Sequence, residues 1–299
     1  MTLSGQSKIL FDLSHGEMLN IDDEDYSEFS SLLKGLGYRI AKNEKGELRK
    51  KIIENHDVLI IGNPISSYFS EVEIKNIVDF VREGGSLLLL SEYGADYLQK
   101  TNLNDLAGSY FGIFFEKNLI KENNLINRNC TSILSIKEFN DLKITDKLRE
   151  VVIGGTCSFV INNLAKPLLI KQGNDHWSEI YNSATQQWIK ENSTPNEKGT
   201  IIATYRIYGR GKIIALGDID LFTNDPNIGI NKMDNRTFIT NMFQWLTEST
   251  KESSIRYWAL DQLGALQHQI KEINIKINNL IETTTLLEGR ISDLEKKRN

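Results

Sequence analysis

The chain has 299 residues, 40% apolar and 25% charged, with a formal net charge of −5. That length suits one large domain or two ordinary ones. The charge is spread without a basic block, which argues against nucleic acid as a partner, because a phosphate-binding face needs clustered Lys and Arg. No run reaches the roughly 18 apolar residues of a membrane span, so direct membrane insertion is not expected. The opening MTLSGQSKILFDLSHGE lacks the apolar core of a secretion signal. The two cysteines, Cys130 and Cys157, have no metal spacing and suit a reducing compartment. The expected location is the cytoplasm.

Lys8–Leu13 reads as a first buried strand, followed by the polar loop Ser14-His15-Gly16-Glu17. The acidic run Asp22–Asp25 precedes a predicted helix through Phe29, Leu32, Leu33 and Leu36. There its negative charge meets the positive end of the helix dipole, and the run lacks the glycine-centred loop of a Ca²⁺ site. Tyr38–Ala41 is a short strand and Leu48–Asn55 a short helix. Val58–Ile61 is a short apolar run, as in a strand buried on both faces. Ser70 and Glu73 have the spacing of a capping box, and Val72, Ile74, Ile77, Val78 and Val81 recur at helical spacing behind them. Gly84-Gly85 ends that helix, and Leu87–Leu90 makes a second apolar strand. This is a βαβ unit with parallel strands and a right-handed crossover. The first hundred residues thus alternate strand and helix, the pattern of a doubly wound, mostly parallel α/β sheet.

From Thr101 the pattern loosens into an additional β-rich region. Asn102–Tyr110 is predicted helical. Gly112–Phe115, Ser132–Ile136, Thr156–Ile161, Pro167–Ile170 and Trp177–Tyr181 read as strands, and Asp141–Leu148 as a helix. Ser183–Gly199 is polar and expected to be an exposed loop. Thr200–Tyr205 and Lys212–Leu216 read as a hairpin around Gly209-Arg210-Gly211, a turn between strands rather than a phosphate loop before a helix. Asp218–Asn224 is the loop after the last strand, and Asn235–Leu246 a helix packed back on the sheet.

The last segment differs in kind. Leu263, Leu266, Ile270, Ile273, Ile277, Leu280, Thr284, Leu287, Ile291 and Leu294 alternate spacings of three and four. Mostly Ile at the first heptad position and Leu at the second favours a parallel two-stranded coiled coil over one amphipathic helix lying on its own domain. At ~1.5 Å per residue such a rod would reach about 50–60 Å. Ser249–Ser254 is the expected joint, so residues 1–250 are read as one α/β domain and 251–299 as a coiled-coil helix.

KILFDLSHGE, DVLIIGNP and FSEVEIKNIVDFVREGGSLLLLSEYG, with the later TNLNDLAGSYFGIFFEKNLI, GRGKIIALGDIDLFTND and NRTFITNMFQWLTE, follow one another in a particular order. In that order they resemble the class I glutamine-amidotransferase-like (GATase1-like) domain of an intraflagellar-transport B-complex subunit and of gliding-motility ABC-transporter accessory proteins. The resemblance covers about residues 8 to 248 and implies a flavodoxin-like sheet that has lost its ancestral chemistry. Amidotransferases of this class present a Cys on a G-x-C-x-G turn after the fourth strand, with a His-x-Glu pair later. Here the turn reads Leu90-Ser91-Glu92-Tyr93-Gly94, neither cysteine sits in it, and Gly217-Asp218-Ile219-Asp220 at the later position holds no His. Without a thiolate and its base, glutaminase activity is not expected. The family's scaffold and accessory roles imply a protein partner.

Open α/β sheets bind ligands outside the carboxyl ends of their strands. The polar residues there are Ser14, His15 and Glu17 after the first strand, Asn63 after the third, Ser91 and Glu92 after the fourth, and Asp218, Asp220 and Asn224 after the last. One reading places them around a crevice for a small sugar or nucleotide piece, or a hydrolase with His15 and Glu92 or Asp218 as acid and base. The other makes them helix caps and loop ties. Ser91 lacks the glycines of a nucleophile elbow, being flanked by Leu89 and Tyr93. His56, His176 and His268 have no partners at metal spacing. No metal site and no cofactor are expected. The preferred reading is a non-enzymatic scaffold or interaction protein, homodimeric or docked through its C-terminal helix.

Overall fold

The computed structural model describes residues 6–123, 130–191, 199–248 and, in the C-terminal segment, 270, 273, 276, 277, 280, 281, 283 and 284. The chain divides into two compact units, Met1–Thr250 and Lys251–Asn299.

The strands of the first unit are β1 (Lys8–Asp12), β2 (Arg39–Asn43), β3 (Val58–Gly62), β4 (Ser86–Leu90), β5 (Ile113–Phe115), β6 (Asn118–Asn123), β7 (Cys130–Thr131), β8 (Ile133–Ile136), β9 (Val151–Gly154), β10 (Phe159–Ile161), β11 (Lys166–Lys171), β12 (His176–Asn182), β13 (Gln187–Lys190), β14 (Thr200–Tyr208) and β15 (Gly211–Leu216). Its helices are α1 (Ser27–Gly35), α2 (Lys50–Ile53), α3 (Glu71–Glu83), α4 (Ala95–Gln99), α5 (Leu103–Phe111) and α6 (Asn235–Thr247).

Seven strands form the main sheet in the order β11-β14-β15-β4-β3-β1-β2. From β2 to β15 every pairing is parallel, and β14 and β11 add an antiparallel margin. Every residue of β3 and β4 is buried, as a strand covered on both faces requires. The strand order reverses between β1 and β3, so the loops leaving their carboxyl ends part there and open a crevice.

Two apolar layers flank this sheet. On one side Phe29 and Leu33 of α1 meet Phe238, Met242 and Phe243 of α6 over Phe11, Ile60 and Leu88. On the other, Ile74, Ile77, Val78 and Val81 of α3 and Leu103, Leu106 and Phe111 of α5 cover Leu59, Leu87 and Leu89. Each such side chain stabilises the fold by about 1.5–3 kcal/mol on full burial. At the start of α3, Ser70 Oγ accepts from Glu73 N (3.3 Å) and Glu73 Oε2 accepts from Ser70 N (2.9 Å), the reciprocal capping box that the spacing predicts.

The β-rich region consists of a four-stranded antiparallel sheet, β13-β12-β6-β7, and the pairs β5–β10 and β8–β9. It reaches the carboxyl end of the main sheet, where Tyr93 N donates to Gly155 O, Gly94 N to Asn118 O and Cys157 N to Gly217 O. Two expectations for this region fail. Asp141–Leu148 holds only a 3₁₀ turn, Lys143–Thr145. There the Thr145 hydroxyl donates to Asn140 O and Leu142 O, and Lys147 has φ 62°, a left-handed conformation that no helix continues through. Within Ser183–Gly199, residues 187–190 form β13, because Trp188 packs edge-on against Tyr181 (5.5 Å) and Tyr93 (5.9 Å). Strands β6 and β9 lie where the sequence suggested no element.

In the second unit the described residues are helical. Ile270, Ile273, Ile277, Leu280 and Ile281 are exposed. Leu263, Leu266, Leu287, Ile291 and Leu294 lie outside the described residues.

Candidate functional site

The polar residues at the strand ends assemble into two separate clusters. The first forms around His15, at the reversal between β1 and β3. Its loop turns sharply at Gly16 (φ 68°), where a Cβ would fall 2.0 Å from Ser66 Oγ. That turn brings Glu17 back to pair with Pro64 after β3.

His15 Nδ1 lies 2.7 Å from Asp12 Oδ2 and 3.9 Å from Glu17 Oε1, and His15 Nε2 lies 3.2 Å from Glu73 Oε1. The imidazole also packs on the Phe69 ring, with centroids 4.1 Å apart. Asp12, His15, Glu17 and Glu73 are all buried. Burial alone would push the His15 pKa down, but the hydrogen bond and charge of Asp12 and the charge of Glu73 leave it raised. Burial alone would raise Asp12, yet hydrogen bonds from His15 and Glu17 hold it below the usual carboxylate range. Burial, then the adjacent Asp12 charge, pushes Glu17 up to about 9. Glu73 stays low against burial because Ser70 and the backbone N–H of Leu48 donate to its carboxylate.

The second cluster lies at the ends of β4 and β15. Glu92, Asp218 and Asp220 bring one carboxylate oxygen each to within 4.8 Å of one another. Glu92 Oε1 accepts from Ile219 N (2.8 Å), and Asp218 accepts from Asp220 N (2.7 Å) and Gly154 N (3.2 Å). Burial and then the neighbouring Asp218 charge raise Glu92 well above the ordinary range, and burial and then the Asp220 charge do the same to Asp218. Asp220 is raised by burial and by Asp225. Tyr26 is raised by burial and by these three carboxylates. Burial and mutual repulsion thus raise all three carboxyls, and two of them accept backbone N–H groups.

The remaining candidates are ties. Asn224 donates to Glu24 O and Ser27 Oγ and accepts from Glu28 N, securing the start of α1. Asn63 has φ 58° and donates to Met18 Sδ and Gln99 Oε1. Ser91 is buried, and its Oγ has no hydrogen-bond partner among the described residues. Ser14 Oγ donates to Asp12 Oδ1 (2.8 Å). Among the described residues His15 shares no hydrogen bond or ion pair with Glu92 or Asp218, so the anticipated single constellation is two. Sequence reasoning missed Asp12, Asn43 and Glu73. Asp12 is the last residue of a buried strand and Glu73 is fully accounted for by its cap, so neither advertises a second role. Two side-chain triads, Asp12-His15-Glu17 and Glu92-Asp218-Asp220, have the donor set and spacing to hold a cation.

A groove of about 800 Å³ lies between α3 and α5, lined by Phe69, Val72, Arg82, Asn102 and Tyr110 among others. Among the described residues no helix is long and apolar enough to cross a membrane.

No curated protein matches the chain. Its fold resembles that of the mmIFT52 N-terminal domain, at 18% identity, covering 81% of this chain and 98% of that one with a TM-score of 0.65. Two cytoplasmic proteins from Salmonella typhimurium are also similar in fold, each at 12% identity. One, from strain LT2, covers 81% of this chain and 100% of its own with a TM-score of 0.50, and the other 80% and 98% with 0.51. Residues 8–125, which carry β1 through the start of the β-rich region and the whole His15 cluster, match the family model of the IFT52 GIFT domain.

Proposed function

We propose that this protein is a non-enzymatic scaffold. Its α/β unit, a degenerate flavodoxin-like and amidotransferase-like body, serves as a recognition module, and its C-terminal helix pairs with a second copy or a partner helix. The observation that carries this reading is the match of residues 8–125 to the IFT52 GIFT domain model.

The chemistry supports it. The turn after β4 offers Ser91 in place of a thiol, buried and with no histidine bonded to it among the described residues. Cys157 is fully buried, and burial pushes its thiol well above the range in which a thiolate forms at neutral pH. Both nitrogens of His15 lie against carboxylates, and neither is bonded to Ser91 among the described residues. In the second unit Ile270, Ile273, Ile277 and Leu280 recur at spacings of three and four and are exposed, a stripe that a partner helix would cover.

Light scattering on the full chain tests this. The expected mass is twice the 34.1 kDa of one chain, falling to the monomer in Ile277→Asp/Leu280→Asp with the far-ultraviolet spectrum of the α/β unit retained. A wild-type monomer at tens of micromolar would remove self-pairing from the reading.

A further inference from the structure

We infer that Asp12, His15 and Glu17 form a binding site for one first-row divalent cation of the Zn²⁺ class, with Glu73, Ser14 and Asn43 as its supporting shell. This goes beyond the scaffold reading and stands on separate observations.

Each of the three side chains turns one donor atom inward and has its other polar atom tied elsewhere. Asp12 presents Oδ2, while its Oδ1 accepts from Ser14 Oγ (2.8 Å), Ser14 N (3.3 Å) and Asn43 Nδ2 (3.1 Å). His15 presents Nδ1, while Nε2 faces Glu73 Oε1 at 3.2 Å. Glu17 presents Oε1, while Oε2 accepts from His15 N at 3.2 Å. Outer partners of this kind fix the orientation and tautomer of metal-binding side chains. Asp12 Oδ2 and His15 Nδ1 meet each other at 2.7 Å, with Ser14 Oγ 3.2 Å from Nδ1, and a cation entering here takes the place of that hydrogen bond.

An independent observation points to a ligand. Glu17 Oε1 is enclosed, on a side chain with 0% exposure, and no hydrogen-bond donor reaches it. An unpaired buried carboxylate oxygen is destabilising unless a proton or cation meets it. What faces it is the Asp12 carboxyl, one oxygen of each lying within the 4.8 Å cluster.

The spacing fits a metal. The three donor atoms lie within 4.8 Å of one another, and His15 Nδ1 stands 2.7 Å and 3.9 Å from the two oxygens. Donors at ~2.0–2.2 Å around a tetrahedral ion stand about 3.4 Å apart, between those two values. One imidazole and two carboxylates neutralise a divalent charge and favour Zn²⁺, Mn²⁺ or Fe²⁺ over Ca²⁺ and Mg²⁺, which prefer all-oxygen shells. The site also lies where the strand order reverses, the crevice in which open α/β sheets take ligands.

Titration calorimetry of the full chain, stripped with a chelator, tests this with ZnCl₂ as the probe. One equivalent should bind at pH 7 and raise the melting temperature, with proton release seen in buffers of different ionisation enthalpy. Equimolar MgCl₂ should do neither. Glu17→Gln should weaken Zn²⁺ at least tenfold and His15→Gln should abolish the site, whereas His176→Gln should leave it intact. CoCl₂ added to the wild-type chain gives a readout that needs no variant: visible absorption bands of low-symmetry nitrogen and oxygen ligation. Absence of binding, a featureless Co²⁺ spectrum, or full-strength Zn²⁺ binding by folded Glu17→Gln and His15→Gln chains would each overturn the assignment.

Discussion

Asn235, the first residue of α6, is fully buried and serves four backbone groups. Its Oδ1 accepts from Val152 N (2.9 Å), and its Nδ2 donates to Val152 O (2.9 Å), Ile228 O (2.9 Å) and Gly229 O (3.0 Å). Alanine would leave these groups unpaired in a dry interior, so Asn235→Ala should lose about 2–4 kcal/mol in urea unfolding, and a loss below ~1 would show that water replaces the amide. Glu92 allows a test of sign. Its folded pKa lies well above the 4.5 of an ordinary glutamate, so its contribution to stability is full below pH 4.5 and declines as pH rises. Gln keeps an acceptor for Ile219 N and offers Asp218 a donor. The melting temperature of Glu92→Gln relative to wild type should therefore climb as pH rises above 4.5, and a flat difference would mean the carboxyl is not protonated in the fold. Neither residue announces this in the sequence. Asn235 reads as an ordinary helix start, and its partners Val152 and Ile228 come from segments with no clear pattern. Glu92 was visible as a strand-end polar residue, but the pairing with Asp218 that raises its pKa follows from β4 and β15 lying side by side.

Elements were legible where a period is strong and local. The run from Val58 to Leu90 satisfies strand burial, capping box, helical spacing and glycine stop at once, and each clause appears in β3, α3 and β4. They were illegible where pairing is distant or one side chain decides: β6 draws its partner β12 from far along the chain, and Lys147 ends a helix that Ile144 and Leu148 would have continued. The β14–β15 hairpin shows how closely elements meet. A Cβ on Gly211 would stand 2.1 Å from both Gly85 O and Val81 O, backbone that cannot move aside, whereas one on Gly35 at the end of α1 meets nothing within 4 Å. Gly211→Ala should destabilise by about 3 kcal/mol or more. Gly35→Ala should be neutral or stabilise by roughly 0.5 kcal/mol. Thermal melts of the two variants check the pair, and similar effects would contradict the close approach of the hairpin to α3.

At the scale of the molecule, the alternating strands and helices predicted the parallel sheet and its helix-covered faces, because each buried strand and amphipathic helix leaves its mark within a few residues. The predicted assembly rests on a heptad pattern, and its test is the mass of the intact chain. The margins of the main sheet bear on how copies meet. At one margin β2 carries Arg39 and Lys42, with Lys42 ion-paired to Asp22 and Glu44. At the other, β11 carries Pro167, which has no N–H to offer, and its register shifts between Pro167 and Leu169 and again between Leu169 and Ile170. Charge on one flank and a kinked, donor-poor ribbon on the other deny an incoming chain a straight template for strand addition. The body therefore resists growing into open-ended fibres of stacked sheets, even when many copies are crowded together.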